Sequence, residues 1–284
     1  MIQPLQQDDA FLADLARPLA PEALRLWWLG QSGFVLRSGG STLVLDPYLS
    51  DSLTEKYAAT DKPHVRLTAR VIAPERITGV DVVTSSHHHT DHLDARTLIA
   101  LRAGNPDMRL VIPEASRAFV AQRLGADPRA AAGLDAGASL KVARWELHAV
   151  AAAHNAVERD EAGHCRYLGY VIRRGGWTLY HSGDTLRYPG LVETLRAFAP
   201  VDVALLPING NQPERRVAGN LDGREAAQLA HDIGARWVIP CHYDMFAFNT
   251  ADPRELFLPE CHRLSQPRRV LQAGEGWTVP NPHP

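Results

Sequence analysis

The sequence predicts an α/β fold in a single domain made of two similar halves, and three observations carry that expectation. Near the amino terminus, the short runs LRLWWLG, GFVLRSG and STLVLD are rich in β-branched and aromatic residues and are punctuated by Gly30, Gly33, Gly39 and Gly40, the pattern of an antiparallel meander. Further on, strand-like and helix-like segments alternate, as they do where helices cover a layered sheet. The same order, hairpins first and strand-helix units second, then recurs in the second half of the chain.

In chain order, residues 9–16 form a short amphipathic helix with Phe11, Leu12 and Leu15 on one side, ended by Pro18 and Pro21, so residues 1–22 read as a helical appendage. After the meander, residues 47–78 have mixed polarity, three prolines and little periodicity, and read as a long excursion over the surface. Ordered loops of that length often cover active sites. Next come the strand VDVVT at 80–84, a polar turn, a helix over 94–102, the strand RLVIP and a helix over 114–124. The stretch 139–154 alternates as one strand and is followed by YLGYVIRR and WTLYHS. A helix over 189–198, the strand VDVALLP, a helix over 222–233 and the strand RWVIP complete the second half. With no short-period repeat, low-complexity tract or linker, residues 1–284 read as one domain, with 279–284 as an unpacked tail.

Composition narrows the function. Lys plus Arg number 30 and Asp plus Glu 32, a formal net charge of −2. That balance lacks the basic surplus that draws nucleic acid or an acidic membrane, so the expected partner is a small-molecule substrate, with no nucleic acid and no membrane. The three cysteines, Cys165, Cys241 and Cys261, form no C-x-x-C pair, which argues against a disulfide framework or a thiolate metal knuckle and fits a reducing cytoplasm. The amino terminus has neither a basic start nor an apolar core of signal-peptide length, and no later run is long enough to span a bilayer, so a cytoplasmic protein is expected. Histidine is the one oddity: of thirteen, His87, His88, His89 and His92 fall within six positions.

Those histidines belong to SSHHHTDHLD, where His-x-His-x-Asp-His directly follows the strand 80–84. In an extended segment, residues two apart point the same way, so His87 and His89 can share one metal at the strand's carboxyl end. Asp91 and His92 then face elsewhere and, once the chain turns into the helix near Asp94, can serve a second metal. Each site needs further ligands while keeping a position open for water. His154 at the end of the alternating strand, Asp184 in YHSGDT and His242 in VIPCHYD all sit at strand ends, where ligands converge in layered α/β folds. His88 is read as a spacer, and His148 and His181 as packing groups or partners of a ligand. Cys241 is read as a small buried hydrophobe, and Asp46 as the carboxylate that receives the far ring N–H of a ligating histidine.

WWLGQSG at 27–33, LDPYLSD at 45–51, SSHHHTDHLD at 85–94, YHSGDT at 180–185, DVALLPING at 202–210 and VIPCHYDMFAFNTADP at 238–253 together resemble the metallo-β-lactamase superfamily, and within it the L-ascorbate-6-phosphate lactonase group. The resemblance implies an αββα sandwich, two mixed sheets flanked by helices, with a dinuclear metal centre, a cytoplasmic location and a homo-oligomeric state. For the lactonases it implies a manganese-dependent opening of a phosphorylated sugar lactone. At position 154 the chain departs from that group and carries the histidine of the wider superfamily.

On this reading His87, His89, Asp91, His92, His154, Asp184 and His242 hold two divalent ions, with Asp184 bridging. The ions lower the pKa of a shared water, and the metal-bound hydroxide opens a lactone or ester of a small anionic, phosphorylated sugar-like substrate. Asp91 and Asp184 are the catalytic carboxylates. Imidazole and carboxylate ligands suit Zn, Mn or Fe, and the resemblance favours Mn. Arg215, Arg216, Asn209, Asn211 and Tyr243, in loops after the site strands, are candidate substrate anchors, although for Arg215 and Arg216 a solvated basic pair explains the sequence equally well. A metal-dependent phosphodiesterase is the alternative function, and a non-hydrolytic metal-binding or redox module a third.

Overall fold

In the computed structural model, which describes residues 1–281, α1 (Asp8–Leu15) buries Phe11 and Leu15 against the body of the protein. Its buried Asp14 accepts hydrogen bonds from Trp27 Nε1 at 2.8 Å and Arg25 Nη2 at 2.7 Å, so the carboxylate is not left unpaired. The expected meander follows as β1 (Leu24–Gly30), β2 (Gly33–Ser38) and β3 (Ser41–Leu45), paired antiparallel in order. Gly39 and Gly40 join β2 to β3 with φ of 53° and 72°, the left-handed geometry that a two-residue hairpin needs and glycine supplies without a Cβ clash.

The 47–78 excursion contains a short helix, α2 (Ser52–Tyr57). It is less superficial than its polarity implies, because Val71, Ile72 and Ile77 are buried in the core. Beyond it, β4 (Val82–Thr84), α3 (Ala95–Gly104), β5 (Arg109–Pro113), α4 (Arg117–Leu124) and β6 (Ala131–Leu134) extend the first sheet in parallel, in the order β3-β4-β5-β6.

The stretch 139–154, expected as one strand, is instead a hairpin of β7 (Ser139–Val142) and β8 (Trp145–Ala151). The chain reverses at Ala143, whose φ is 51°, and His154 lies three residues past the strand's end. β9 (Leu168–Arg174) and β10 (Trp177–His181) continue antiparallel. After α5 (Leu191–Arg196), β11 (Val203–Pro207), α6 (Gly223–Asp232) and β12 (Trp237–Cys241) add the parallel part of the second sheet. α6 starts on a capping box: Asp222 accepts from the Glu225 amide at 2.8 Å and Glu225 from the Asp222 amide at 3.0 Å. α7 (Phe257–Arg263) packs on α6, and β13 (Gly276–Thr278) returns to the edge of the first sheet beside β1. Of the carboxyl-terminal stretch expected as an unpacked tail, Val279 is buried and its amide bonds the Leu24 carbonyl at 2.9 Å, while 282–284 lie outside the described residues.

The result is two mixed sheets, seven-stranded and six-stranded, flanked by helices. One continuous cluster of buried apolar side chains, including Leu26, Leu43 and Val111 of the first sheet and Leu147, Leu179 and Ile239 of the second, joins the layers. Burying each such side chain contributes roughly 1.5–3 kcal/mol. Polar stitches add register between the sheets: Trp145 Nε1 donates to Ser41 Oγ at 2.9 Å and the Tyr170 hydroxyl to the Ser85 carbonyl at 3.0 Å. Within the first sheet β1, β3 and β4 run the same way, and within the second so do β8, β10 and β12. Among the described residues, no helix is long and apolar enough to cross a membrane.

Candidate metal centre

The carboxyl ends of those strands supply every group of the site: Asp46 after β3, the 85–94 loop after β4, His154 after β8, Asp184 after β10 and His242 after β12. The 85–94 loop is pinned at both ends. Ser85 Oγ donates to the His92 carbonyl at 2.7 Å, and Asp94 caps α3 by accepting from the Thr97 amide at 3.1 Å. Between these anchors the loop is not extended, as the sequence argument assumed, but turns: the amides of His92 and Leu93 bond the His89 carbonyl at 3.0 and 2.8 Å.

That turn redistributes the ligating atoms. Three groups lie with all their atoms within 4.8 Å of one another: His87 with His89 and His154, His87 with His92 and Asp184, and Asp91 with His92 and His242. His87 and His92 therefore each belong to two groups, where the sequence had separated His87 and His89 from Asp91 and His92. Asp184 Oδ2 stands centrally, 3.3 Å from His92 Nε2, 3.4 Å from His242 Nε2 and 3.6 Å from His154 Nε2. Asp91 Oδ2 is 3.6 Å from both His92 Nε2 and His242 Nε2.

These residues fit a metal. His87 Nε2, His92 Nε2 and Asp184 Oδ1 are buried with no hydrogen-bond partner, an arrangement that costs roughly 1–3 kcal/mol per group unless something else satisfies it. Hard-to-borderline cations do so with imidazole and carboxylate donors, and no thiolate enters the set. The far ring nitrogens are held: His92 Nδ1 is 2.7 Å from Asp46 Oδ2, and His154 Nδ1 donates to the Gly219 carbonyl at 2.9 Å. Asp46 also accepts from the Ser86 amide at 2.9 Å and from the Ser86 hydroxyl, which makes it the orienting carboxylate that its place after β3 suggests.

Without cations, the charges balance internally. Burial opposes ionisation of Asp184 and Asp91, but His92 and His242 outweigh it and hold both carboxyls below the ordinary range. Burial likewise opposes protonation of His92 and His242, but the two carboxylates lift His92 well above its usual value and His242 to about 9. His87 and His89, dominated by burial, are pushed down, His89 to about 4.

Above this floor opens a cavity of about 490 Å³ whose lining includes His89, Asp91, His154, Asp184 and His242. His88, read as a spacer, lines it too. His148 pairs with Glu146 at 3.2 Å and His181 with the Ser32 carbonyl at 3.1 Å, and neither belongs to a ligating group. Cys241 is buried, as expected.

None of the expected substrate anchors lines the cavity. Arg215 is spent on the carbonyls of Asn209 and Thr250, and Arg216 pairs with Asp61 at the exposed surface, 2.9 Å away. Asn209 is buried and exchanges hydrogen bonds with Asn220 and Asn249, and Asn211 is exposed beside Gly219. Tyr243 is buried on Trp28, ring centroids 4.4 Å apart, and its hydroxyl bonds the Leu271 carbonyl. The cations that do reach the cavity, Lys56 and Arg123, come from helices whose sequences carry no motif. Gln31 was also missed: its amide lies 2.8 Å from Asp91 Oδ2 and 3.0 Å from His242 Nε2. Its position at the end of β1, in the landmark WWLGQSG, is the signal that could have found it.

A family model described as "Beta-lactamase superfamily domain" matches residues 25–242. A "UPF0173 metal-dependent hydrolase" of Myxococcus xanthus is 30% identical over 261 residues, covering 89% of this chain and 81% of that protein. A "Probable L-ascorbate-6-phosphate lactonase UlaG" of Escherichia coli is 26% identical over 266 residues, covering 84% of this chain and 74% of that protein. Among solved structures, Igni18, a metallo hydrolase of the archaeon Ignicoccus hospitalis, superposes with a TM-score of 0.66 at 22% identity, covering 91% of this chain and 99% of that one. At that identity the likeness speaks to the fold.

Proposed function

Because the chain belongs to the beta-lactamase superfamily and is a metal-dependent hydrolase, we propose that it opens a lactone or carboxylic ester of a small anionic substrate, using two divalent cations, Mn or Zn with Fe as a further candidate. The observation that carries this reading is the position of Asp184 Oδ2, within 3.6 Å of His154 Nε2 from one ligating group and of His92 Nε2 and His242 Nε2 from another. His87, His89 and His154 would hold one cation and Asp91, His92 and His242 the other, with Asp184 between them. Such cations supply Lewis acidity, which activates water near neutral pH and polarises the scissile acyl group.

The chain's own residues do the positioning. Asp46 and the Gly219 carbonyl fix the rings of His92 and His154 so that Nε2 presents its lone pair to the site. Asp91, steadied by Gln31, offers a carboxylate oxygen to orient attacking water. The buried floor of Asp184, His87 and His242 limits water to the open side of the cavity. The lactonase relative supports the acyl over the phosphoryl substrate. In this reading one domain spanning 1–284 carries the whole site and works in the cytoplasm, in keeping with three free cysteines.

The test is a panel of lactones, carboxylic esters and phosphodiesters offered to protein loaded separately with Zn, Mn and Fe. Turnover of lactones or esters at least tenfold above phosphodiesters is expected. A preference for phosphodiesters, or His89→Ala with undiminished turnover, would refute it.

A further inference from the structure

We propose that the substrate is amphiphilic: its scissile group sits on the metal floor, an apolar body lies along an aromatic wall of the cavity, and a single carboxylate at the far end meets Lys56. This rests on the hydrolase reading above and departs from a phosphorylated, polyhydroxylated substrate.

The wall comes from two distant segments. Leu53, Tyr57 and His64 belong to the 47–78 excursion, and Phe246 and Phe248 to the loop after β12. His64 wedges these together, stacked on Tyr57 at 4.2 Å and set edge-on to Phe248 at 4.5 Å and Phe246 at 5.2 Å. Its Nδ1 donates to the Lys62 carbonyl at 3.1 Å, so the ring is held in place. Exposure grades along this wall: Leu53 and Phe246 are buried, Tyr57, His64 and Phe248 half-buried, and Lys56 exposed at the rim. A ligand laid on it therefore meets polar chemistry at the floor, apolar surface midway and a charge at the mouth.

Two cations line the cavity, and one is already committed. Arg123 donates to the carbonyls of His88 and Leu93 at 3.1 and 3.0 Å and lies over the Phe119 ring. Lys56 has only the face of its neighbour Tyr57, 5.0 Å from the ring centroid, among the described residues. Phosphate recognition ordinarily recruits guanidinium forks or several converging donors, whereas one ammonium suits one carboxylate.

The experiment uses the metal-loaded full chain and three γ-lactones: one with a six-carbon alkyl chain ending in carboxylate, the same chain without the carboxylate, and one with a phosphorylated polyhydroxy chain. The carboxyalkyl lactone is expected to exceed the phosphorylated one in kcat/KM by about tenfold or more. Lys56→Gln should erase the advantage of the carboxylate over the neutral chain, about three- to fivefold, through KM. Phe248→Ala, with Tyr57→Leu as a second variant should the loop collapse, should weaken both alkyl lactones about tenfold relative to the polyhydroxy one. Preference for the phosphorylated lactone, or equal effects of Lys56→Gln on charged and neutral chains, overturns the proposal. If no lactone is opened, the lactonase reading fails separately, and calorimetry with the ring-opened carboxyalkyl hydroxy acid decides: binding weakened by both Lys56→Gln and Phe248→Ala sustains the amphiphilic site, and equal binding by all three proteins overturns it.

Discussion

Asp46→Asn tests how the site is oriented without touching a ligating atom. Asp46 is fully buried and spends its carboxylate on His92 Nδ1 at 2.7 Å, the Ser86 amide at 2.9 Å and the Ser86 hydroxyl. Asparagine has the same shape, and its carbonyl oxygen can keep the Ser86 amide, but its other terminus is an NH2 donor. Facing His92 Nδ1, that donor makes the imidazolium give up its Nδ1 proton in preference to the one on Nε2, the nitrogen 3.3 Å from Asp184 Oδ2, whereas Asp46 holds the proton on Nδ1 and lets Nε2 be freed for the metal. A metal must then displace that proton or rotate the ring. Loss of such an orienting partner typically weakens metal affinity about 10- to 100-fold, which is about 1.4–2.7 kcal/mol. Competition titration of the metal-stripped protein against a chromophoric chelator, with Ser86→Ala as comparison and far-ultraviolet dichroism to verify folding, measures it. If a folded Asp46→Asn bound its metals with wild-type affinity, the tautomer argument would fail.

Three further outcomes follow from the same geometry. His89→Ala should lower turnover by at least about 100-fold while leaving the thermal midpoint of the metal-free protein nearly unchanged, since His89 is only half-buried; kinetics and a thermal melt on one preparation check both. Metal uptake at pH 7 should release protons, because His92 is held protonated and His242 titrates near 9 in the metal-free protein, so affinity should rise with pH until about 9; calorimetry in buffers of different ionisation enthalpy reads this, and a pH-independent affinity from 6 to 9 would contradict it. Gly183→Ala should destabilise by about 1–3 kcal/mol in urea unfolding, because Gly183 has φ of 57° and an added Cβ would come within 2.6 Å of Ser86 Cβ.

The clustering of the candidate ligands was legible in the sequence because the information is local. The crowding of His87, His89, Asp91 and His92 behind an apolar strand, and the placement of Asp184 and His242 just after later strands, need only periodicity and strand direction to be read as one constellation. The alternation of hairpins and strand-helix units fixed the layered class for the same reason. Tertiary structure decided how the constellation is divided. The turn at His89 gives His87 and His92 to two groups each, and a loop's hydrogen bonds cannot be derived from its residue types. It also decided what surrounds the candidate site. Gln31 reaches Asp91 across sixty positions, Lys56 and Arg123 arrive on unremarkable helices, and Arg215, one of the candidate anchors on paper, bonds backbone carbonyls instead. Such contacts join segments far apart in the chain, so they exist only once the two sheets have packed and set which strand ends meet.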